Sequence, residues 1–271
     1  MNNILYRPQK TSYLAIFFIA IYCLLATFFA GLASENIALS ATFNGLKLPI
    51  REPLNLLIVF LFFYLFPRFF GKFEFSEINW GRPYASLIGI LVPLLLIIIV
   101  WGIFYFTGSL IIDSISLSPN IISFPIILSL VFVLIHGAAE QLLINKIGQE
   151  VFAQKFGVWG GILAAGIMFA ALQALQGYDS PIYIINSLIF GALLGILAQV
   201  FGLMAAAIAH GVWTWAEIIV LPQILQYHLV PNFISGGGQD SYSSPIFAIV
   251  ALALCFALGV LINLNYRQNH D

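Results

Sequence analysis

PYASLIGILVPLLLIIIVWGIFYFTG, residues 83–108, contains no charged side chain. An α-helix needs about 20 predominantly apolar residues to cross a hydrocarbon core of about 30 Å, so this stretch predicts a membrane-spanning helix. The rest of the chain has the same character. Of its 271 residues, 61% are hydrophobic and 8% are charged, whereas soluble domains usually carry about 25% charged residues. The sequence therefore predicts a polytopic membrane protein.

Seven further apolar runs are long enough to cross a bilayer. The expected spans are 12–33, 54–71, 83–108, 121–152, 158–176, 182–201, 203–221 and 245–265. A seven-span arrangement stays open, because little more than Gly202 separates two of these runs. We predict an all-α helical membrane bundle of about eight helices that forms one domain over residues 1–271, with segment 34–53 as a loop or surface helix.

The distribution of Lys and Arg predicts the orientation, since cytoplasmic segments carry an excess of these residues. With a cytoplasmic N-terminus, eight of the ten fall inside and only Lys47 and Arg51 lie outside. Both termini are therefore expected in the cytoplasm, and we expect the bacterial inner membrane or another energy-transducing membrane. The expected partner of these spans is the lipid bilayer. The net charge of −1 gives no basic surface for nucleic acid, so we expect no nucleic-acid partner.

His136, Glu140 and His210 are ionisable residues that lie within these apolar spans. Such groups are costly in hydrocarbon, so they normally face a bundle interior or a wet cavity and mark a functional site. His136 and Glu140 are four residues apart and share one face of a helix. Glu217 lies further along the helix of His210 and is expected to be solvated near the membrane interface.

Other polar residues accompany these three. Gln141 and Asn145 form a second pair at four-residue spacing. If Phe156-Gly157 is the turn of an antiparallel hairpin, Glu140 and Gln173 are equidistant from it and should face each other. The predicted constellation is Glu140, Gln173 and His210.

Three motifs, which lie in order on three of the predicted helices, carry a resemblance. They read EQLLIN at 140–145, FAALQ at 169–173 and HGVWT at 210–214. In order and spacing they resemble the CAAX prenyl endopeptidase and bacteriocin-processing proteases, the CPBP or Abi family. That family has Glu-Glu-x3-Arg, Phe-x3-His and His-x3-Asn or Asp. The resemblance covers roughly residues 120–222 and implies an intramembrane protease core. We expect no cofactor.

The resemblance also implies a catalytic site in which a Glu and a His activate water, while a second His and an Asn stabilise the oxyanion. This chain keeps Glu140 and His210. At the other positions it has Gln141 for Glu, Asn145 for Arg, Gln173 for the activating His and Thr214 for Asn. Glutamine cannot titrate, and Gln141 and Asn145 can replace an ion pair by a hydrogen bond.

These departures predict a catalytically degenerate homologue, with Glu140 and His210 as the remnant of the site. It would act as a scaffold, an accessory subunit or a regulatory or immunity factor that holds a membrane protein partner or a hydrophobic peptide. One alternative is an active endopeptidase that uses Glu140 and His210. Another is a proton-coupled transporter. A further alternative supplies the missing imidazole from His136 and places zinc on His136, Glu140 and His210.

Overall fold

The computed structural model describes residues 18–23, 25, 26, 41–43, 46–48, 57, 58, 61, 65, 79–81, 83–115, 124–178, 180–236 and 241–268. Its α-helices are α1 Tyr84–Phe106, α2 Phe124–Gln141, α3 Glu150–Leu175, α4 Pro181–Phe201, α5 Leu203–Thr214, α6 Leu221–Ile224 and α7 Pro245–Gln268. Two π-helical segments, Leu142–Gln149 and Trp215–Val220, continue α2 and α5, and a 3₁₀ turn spans Ser241–Ser243. The strands are β1 Ala41–Phe43, β2 Leu46–Leu48, β3 Leu110–Ile115 and β4 Leu225–Leu229.

The predicted helical membrane bundle is confirmed. Among the described residues, five helical stretches are long and apolar enough to cross a membrane, namely Tyr84–Phe106, Ile126–Leu175, Pro181–Phe201, Leu203–Ile224 and Pro245–Ile262. The predicted spans 12–33 and 54–71 fall largely outside the described residues. The count of eight helices and the placement of both termini therefore stay predictions.

Glycines with positive φ divide the long apolar regions where the sequence suggested. Ile126–Leu175 covers 50 residues and breaks at Gly157, whose φ is 76°. Gly202, with φ 101°, separates α4 from α5. An added Cβ at Gly202 would lie 2.5 Å from the backbone of Gly81, so only glycine fits there. Both predicted divisions are confirmed.

The helices pack in a connected series. α3 lies against α4, α4 lies against α7, and α5 packs on both α1 and α2. Small residues permit the close approach of α3 and α4, because a Cβ at Gly166 would lie 2.5 Å from the carbonyl oxygen of Leu188. A Cβ at Gly191 would come equally close to Phe169. The close packing of α3 on α4 therefore depends on glycine at these two positions.

Two short antiparallel strand pairs supplement the helices. β1 pairs with β2, so segment 34–53 is not simply a loop or surface helix. The sequence signal was Asn44-Gly45 between the strands, a dipeptide that favours tight hairpin turns. β3 pairs with β4 across more than 100 residues of sequence, with a bulge between Ile112 and Ser114. This second pairing was not predicted, because its partners are distant in the chain.

Glu217 is buried rather than solvated, which corrects the expectation from sequence. Its side chain is 6% exposed. Oε2 accepts a hydrogen bond from Trp101 Nε1 at 3.0 Å, and Oε1 accepts from the Ser241 backbone N–H at 3.1 Å. The Ser241 hydroxyl donates to the same oxygen at 2.5 Å. One carboxylate thus joins α1, the π-helical segment after α5 and the 3₁₀ turn.

We expect Glu217→Ala to lower the free energy of unfolding by about 3 kcal/mol or more, because each buried donor left without an acceptor costs about 1–3 kcal/mol. Glu217→Gln should cost less, since its amide oxygen keeps one acceptor for Ser241. Thermal unfolding in detergent measures both changes. Equal melting of Glu217→Ala and the unmodified protein would show that these hydrogen bonds do not stabilise the fold.

Candidate functional site

Two glycines bring α2 and α5 into contact at the site. A Cβ at Gly137 would lie 2.6 Å from the Ala207 carbonyl oxygen and 3.1 Å from the Gly211 backbone nitrogen. A Cβ at Gly211 would lie 2.9 Å from Leu134 Cα. Each glycine directly follows a histidine, in His136-Gly137 and His210-Gly211. The backbone contact therefore sets both imidazoles at the same level of the bundle.

Glu140 lies between these two histidines. His136 Nε2 is 3.3 Å from Glu140 Oε1, and His210 Nδ1 is 3.5 Å from Glu140 Oε2. Glu140 is 1% exposed and His210 6% exposed, whereas a quarter of the His136 side chain remains accessible. The structure therefore brings together the three ionisable residues that the sequence singled out, with His136 on the accessible side.

Aromatic rings enclose His210. The Phe169 ring centroid is 5.4 Å from that of His210, with the rings nearly perpendicular, and Phe190 lies at 6.3 Å. His136 meets His210 at 5.8 Å in a similar edge arrangement. Edge-to-face contacts at these distances are favourable and hold the imidazole plane. They also keep water from most of the His210 ring.

The neutral pair Gln141 and Asn145 forms the hydrogen bond that the sequence predicted. Asn145 Nδ2 donates to Gln141 Oε1 at 2.5 Å, and Gln141 Nε2 lies 3.3 Å from His210 Nδ1. Both side chains are buried. Gln141 directly precedes the π-helical segment Leu142–Gln149, and Asn145 lies within it. π-Helical turns are rare and often occur at functional sites. The pair therefore connects the start of this segment to the His210 ring.

Gln173 and Thr214 occupy the other substituted positions. Gln173 is half-buried near the C-terminal end of α3, and the residue of its helix that reaches His210 is Phe169, one turn earlier. α2 packs chiefly on α5 rather than on α3. The predicted pairing of Glu140 with Gln173 stays a prediction. Thr214 Oγ1 donates to the His210 carbonyl oxygen at 3.0 Å, so its hydroxyl serves the helix backbone.

A buried ion pair close to the site was missed from sequence. Lys146 Nζ lies 2.6 Å from Glu150 Oε2, and both side chains are buried. Beside them, Gln149 Nε2 donates to the Gly195 carbonyl oxygen at 3.0 Å. The signal was available, because Lys and Glu four residues apart inside an apolar span are spaced to pair on a helix. Lys146 had instead been counted among the cytoplasmic cations.

The arrangement is suited to two kinds of chemistry. A carboxylate in contact with an imidazole can accept a proton from water as a general base. Two imidazoles and one carboxylate also form a donor set typical of metal sites. The part of the chain that the structure describes places these groups at a helix contact lined by Phe169 and Phe190. Both chemistries need the same three side chains.

Comparison with known proteins supports the resemblance. Residues 122–216 match the family described as type II CAAX prenyl endopeptidase Rce1-like. No curated protein matches the chain. The matched segment contains α2, α3, α4 and α5 and therefore all three site residues. The predicted resemblance is confirmed over this segment, which is similar to the CAAX-type intramembrane proteases. The apolar helices show that the protein is an integral membrane protein.

Proposed function

We propose that the protein is an intramembrane peptide hydrolase in which His136 supplies the imidazole that Gln173 cannot. The observation that carries this proposal is the 3.3 Å contact between His136 Nε2 and Glu140 Oε1. The family places its activating histidine at the position of Gln173. Here an imidazole reaches the same carboxylate from one turn earlier on α2, on the accessible side of the site.

The three side chains divide the reaction between them. Glu140 takes a proton from a water molecule held beside His136, and the resulting hydroxide attacks the scissile carbonyl carbon. His210 is placed to stabilise the oxygen as it becomes negative. When the C–N bond breaks, Glu140 returns the proton to the leaving amine. Phe169 and Phe190 exclude bulk water around His210, which strengthens these electrostatic interactions.

The membrane setting restricts the substrate. The helices that carry the site are long and apolar enough to span a bilayer. Together with the description of the family, this supports a substrate that is itself membrane-embedded or lipid-modified, cleaved at a peptide bond near its apolar segment. We place the enzyme in the bacterial inner membrane or another energy-transducing membrane, with both termini cytoplasmic.

The test is peptide cleavage by the purified protein in liposomes, with quenched fluorescent peptides that carry a prenyl group or an apolar segment. His136→Gln should lower kcat/KM by about 10²–10⁴-fold, the range for loss of a general acid or base. His228→Gln is the matched control, because His228 pairs with Asp113 on the exposed side of the β3–β4 strand pair. Unchanged cleavage by His136→Gln would remove this residue from the mechanism.

A second candidate is the catalytically degenerate homologue that binds a membrane partner or peptide without cleaving it. The contact of Gln141 Nε2 with His210 Nδ1 favours it, because a neutral amide held by Asn145 takes the place of a charged family pair. The same liposome experiment separates the two candidates. Peptide or partner binding without turnover, unaffected by His136→Gln, would support the degenerate homologue and contradict the hydrolase.

A further inference from the structure

We infer that His136, Glu140 and His210 form a binding site for a divalent metal ion of the zinc class. One ligand atom from each residue lies within 4.8 Å of the other two. The inference goes beyond the proposed function, because metal binding is measured without any turnover. His136 belongs to none of the three family motifs, so the site is a property of this chain.

The donor set suits zinc. Two imidazoles with one glutamate, plus an open position for water, is an established combination in catalytic zinc sites. Zinc prefers nitrogen and carboxylate oxygen donors, whereas magnesium and calcium prefer oxygen alone. Two of the ligands are one turn apart on α2, where residues at four-residue spacing face the same side. The third ligand, His210, comes from α5.

The backbone contact between the helices holds the third ligand in place. Gly137 and Gly211 bring α2 and α5 so close that a Cβ on Gly137 would lie 3.4 Å from His210 Cβ. Phe169 and Phe190 restrict the His210 ring on its other sides. The ligands are therefore close to their binding positions before the ion arrives, which reduces the ordering cost of binding.

Hydrogen bonding around His210 indicates that a positive species belongs between His210 and Glu140. Asn145 donates to Gln141 Oε1, and with this amide orientation Gln141 Nε2 faces His210 Nδ1 as a donor. The same Nδ1 lone pair lies 3.5 Å from the Glu140 carboxylate. A bound cation would bridge these two electron-rich atoms. The Gln141 contact is long, at 3.3 Å, and is easily given up.

The surroundings provide both a dry shell and an approach. His210 and Glu140 are buried, while His136 keeps a quarter of its side chain accessible. In the proposed site, the ion would enter on the side of His136, where the set of ligands is least enclosed. Apolar groups around a metal centre limit solvent access and strengthen its effect on bound water. Phe169 and Phe190 are suited to that role.

The experiment measures zinc in the full-length protein after chelator treatment, dialysis and reloading in detergent. We expect one zinc per chain. Zinc affinity should fall on the order of 100-fold or more in His136→Gln and His210→Gln, since mutation of residues that only hydrogen-bond to metal ligands already lowers affinity about 10–100-fold. The matched control changes the other two histidines, His228→Gln with His270→Gln. That control should bind zinc as the unmodified protein does.

X-ray absorption spectroscopy of the zinc-loaded, unmodified protein keeps the test independent of variant folding. It should show two imidazole ligands at about 2.0–2.1 Å and one carboxylate. The site would be overturned by failure to bind one zinc per chain, by a spectrum without imidazole, or by undiminished binding in both variants. If the protein bound no zinc, a proton would be the species that bridges His210 and Glu140. Because none of these measurements needs a substrate, an inactive but zinc-binding protein would contradict the hydrolase alone.

Discussion

Gly211→Leu should destroy the site by separating α2 from α5. The new side chain would enter space where even a Cβ lies 2.8 Å from Leu134 Cδ2 and 3.0 Å from the Val133 carbonyl oxygen. Backbone atoms cannot move aside as a flexible side chain does, so the helices must part. Overpacking of a tight contact costs about 1–3 kcal/mol of stability. The larger effect is on the site, because His210 directly precedes Gly211.

The measurements for Gly211→Leu are peptide cleavage, zinc affinity and thermal unfolding. We expect cleavage to fall by about 100-fold or more, since displacement of a reacting group by about 1 Å can have that effect. Gly102→Leu on α1 is the matched control, because nothing lies within 4 Å of a Cβ at that position. If Gly211→Leu kept the activity of the control, the close helix contact would not be what holds His210.

Glu140→Gln should abolish cleavage while largely preserving the fold. The amide has nearly the shape of the carboxyl group, so packing around this buried position changes little. It cannot accept a proton from water, and we expect kcat/KM to fall by at least about 10³-fold, within the range for loss of a general base. It also replaces an anionic zinc ligand by a neutral one, so zinc affinity should fall in the same variant.

Asp113→Asn is the control for Glu140→Gln, because it removes a carboxylate from the exposed pair with His228. That variant should cleave as the unmodified protein does. Cleavage that persists in Glu140→Gln would exclude Glu140 as the base. A normal melting temperature in Glu140→Gln, combined with lost cleavage, would assign its role to chemistry rather than to folding.

The local properties of the chain were readable from the sequence. Apolar runs predicted the spans that the structure describes, because bilayer thickness sets helix length and hydropathy reports it directly. Gly157 and Gly202 were recognised as divisions, since a positive φ is a property of glycine itself. The hydrogen bond between Gln141 and Asn145 followed from their four-residue spacing. Each of these depends on residues close together in the chain.

Properties that depend on partners distant in the chain were not readable. Glu217 was expected to be solvated near the membrane interface, but its carboxylate oxygens accept hydrogen bonds from Trp101 and Ser241, which lie on other elements. β3 and β4 were missed because neither strand has a nearby partner in sequence. Spacing along a helix gives the face that a residue shares with its neighbours, but not the helix that this face meets.

The sequence by itself determined a membrane-embedded helical protein with motifs that resemble those of the CAAX-type proteases and with His136, Glu140 and His210 within its spans. Only the tertiary structure decided that α5 brings His210 to the carboxylate that His136 contacts. The physical reason is the rotation and approach of packed helices. Contacts between whole helix surfaces set both, including the glycine contact at Gly137 and Gly211.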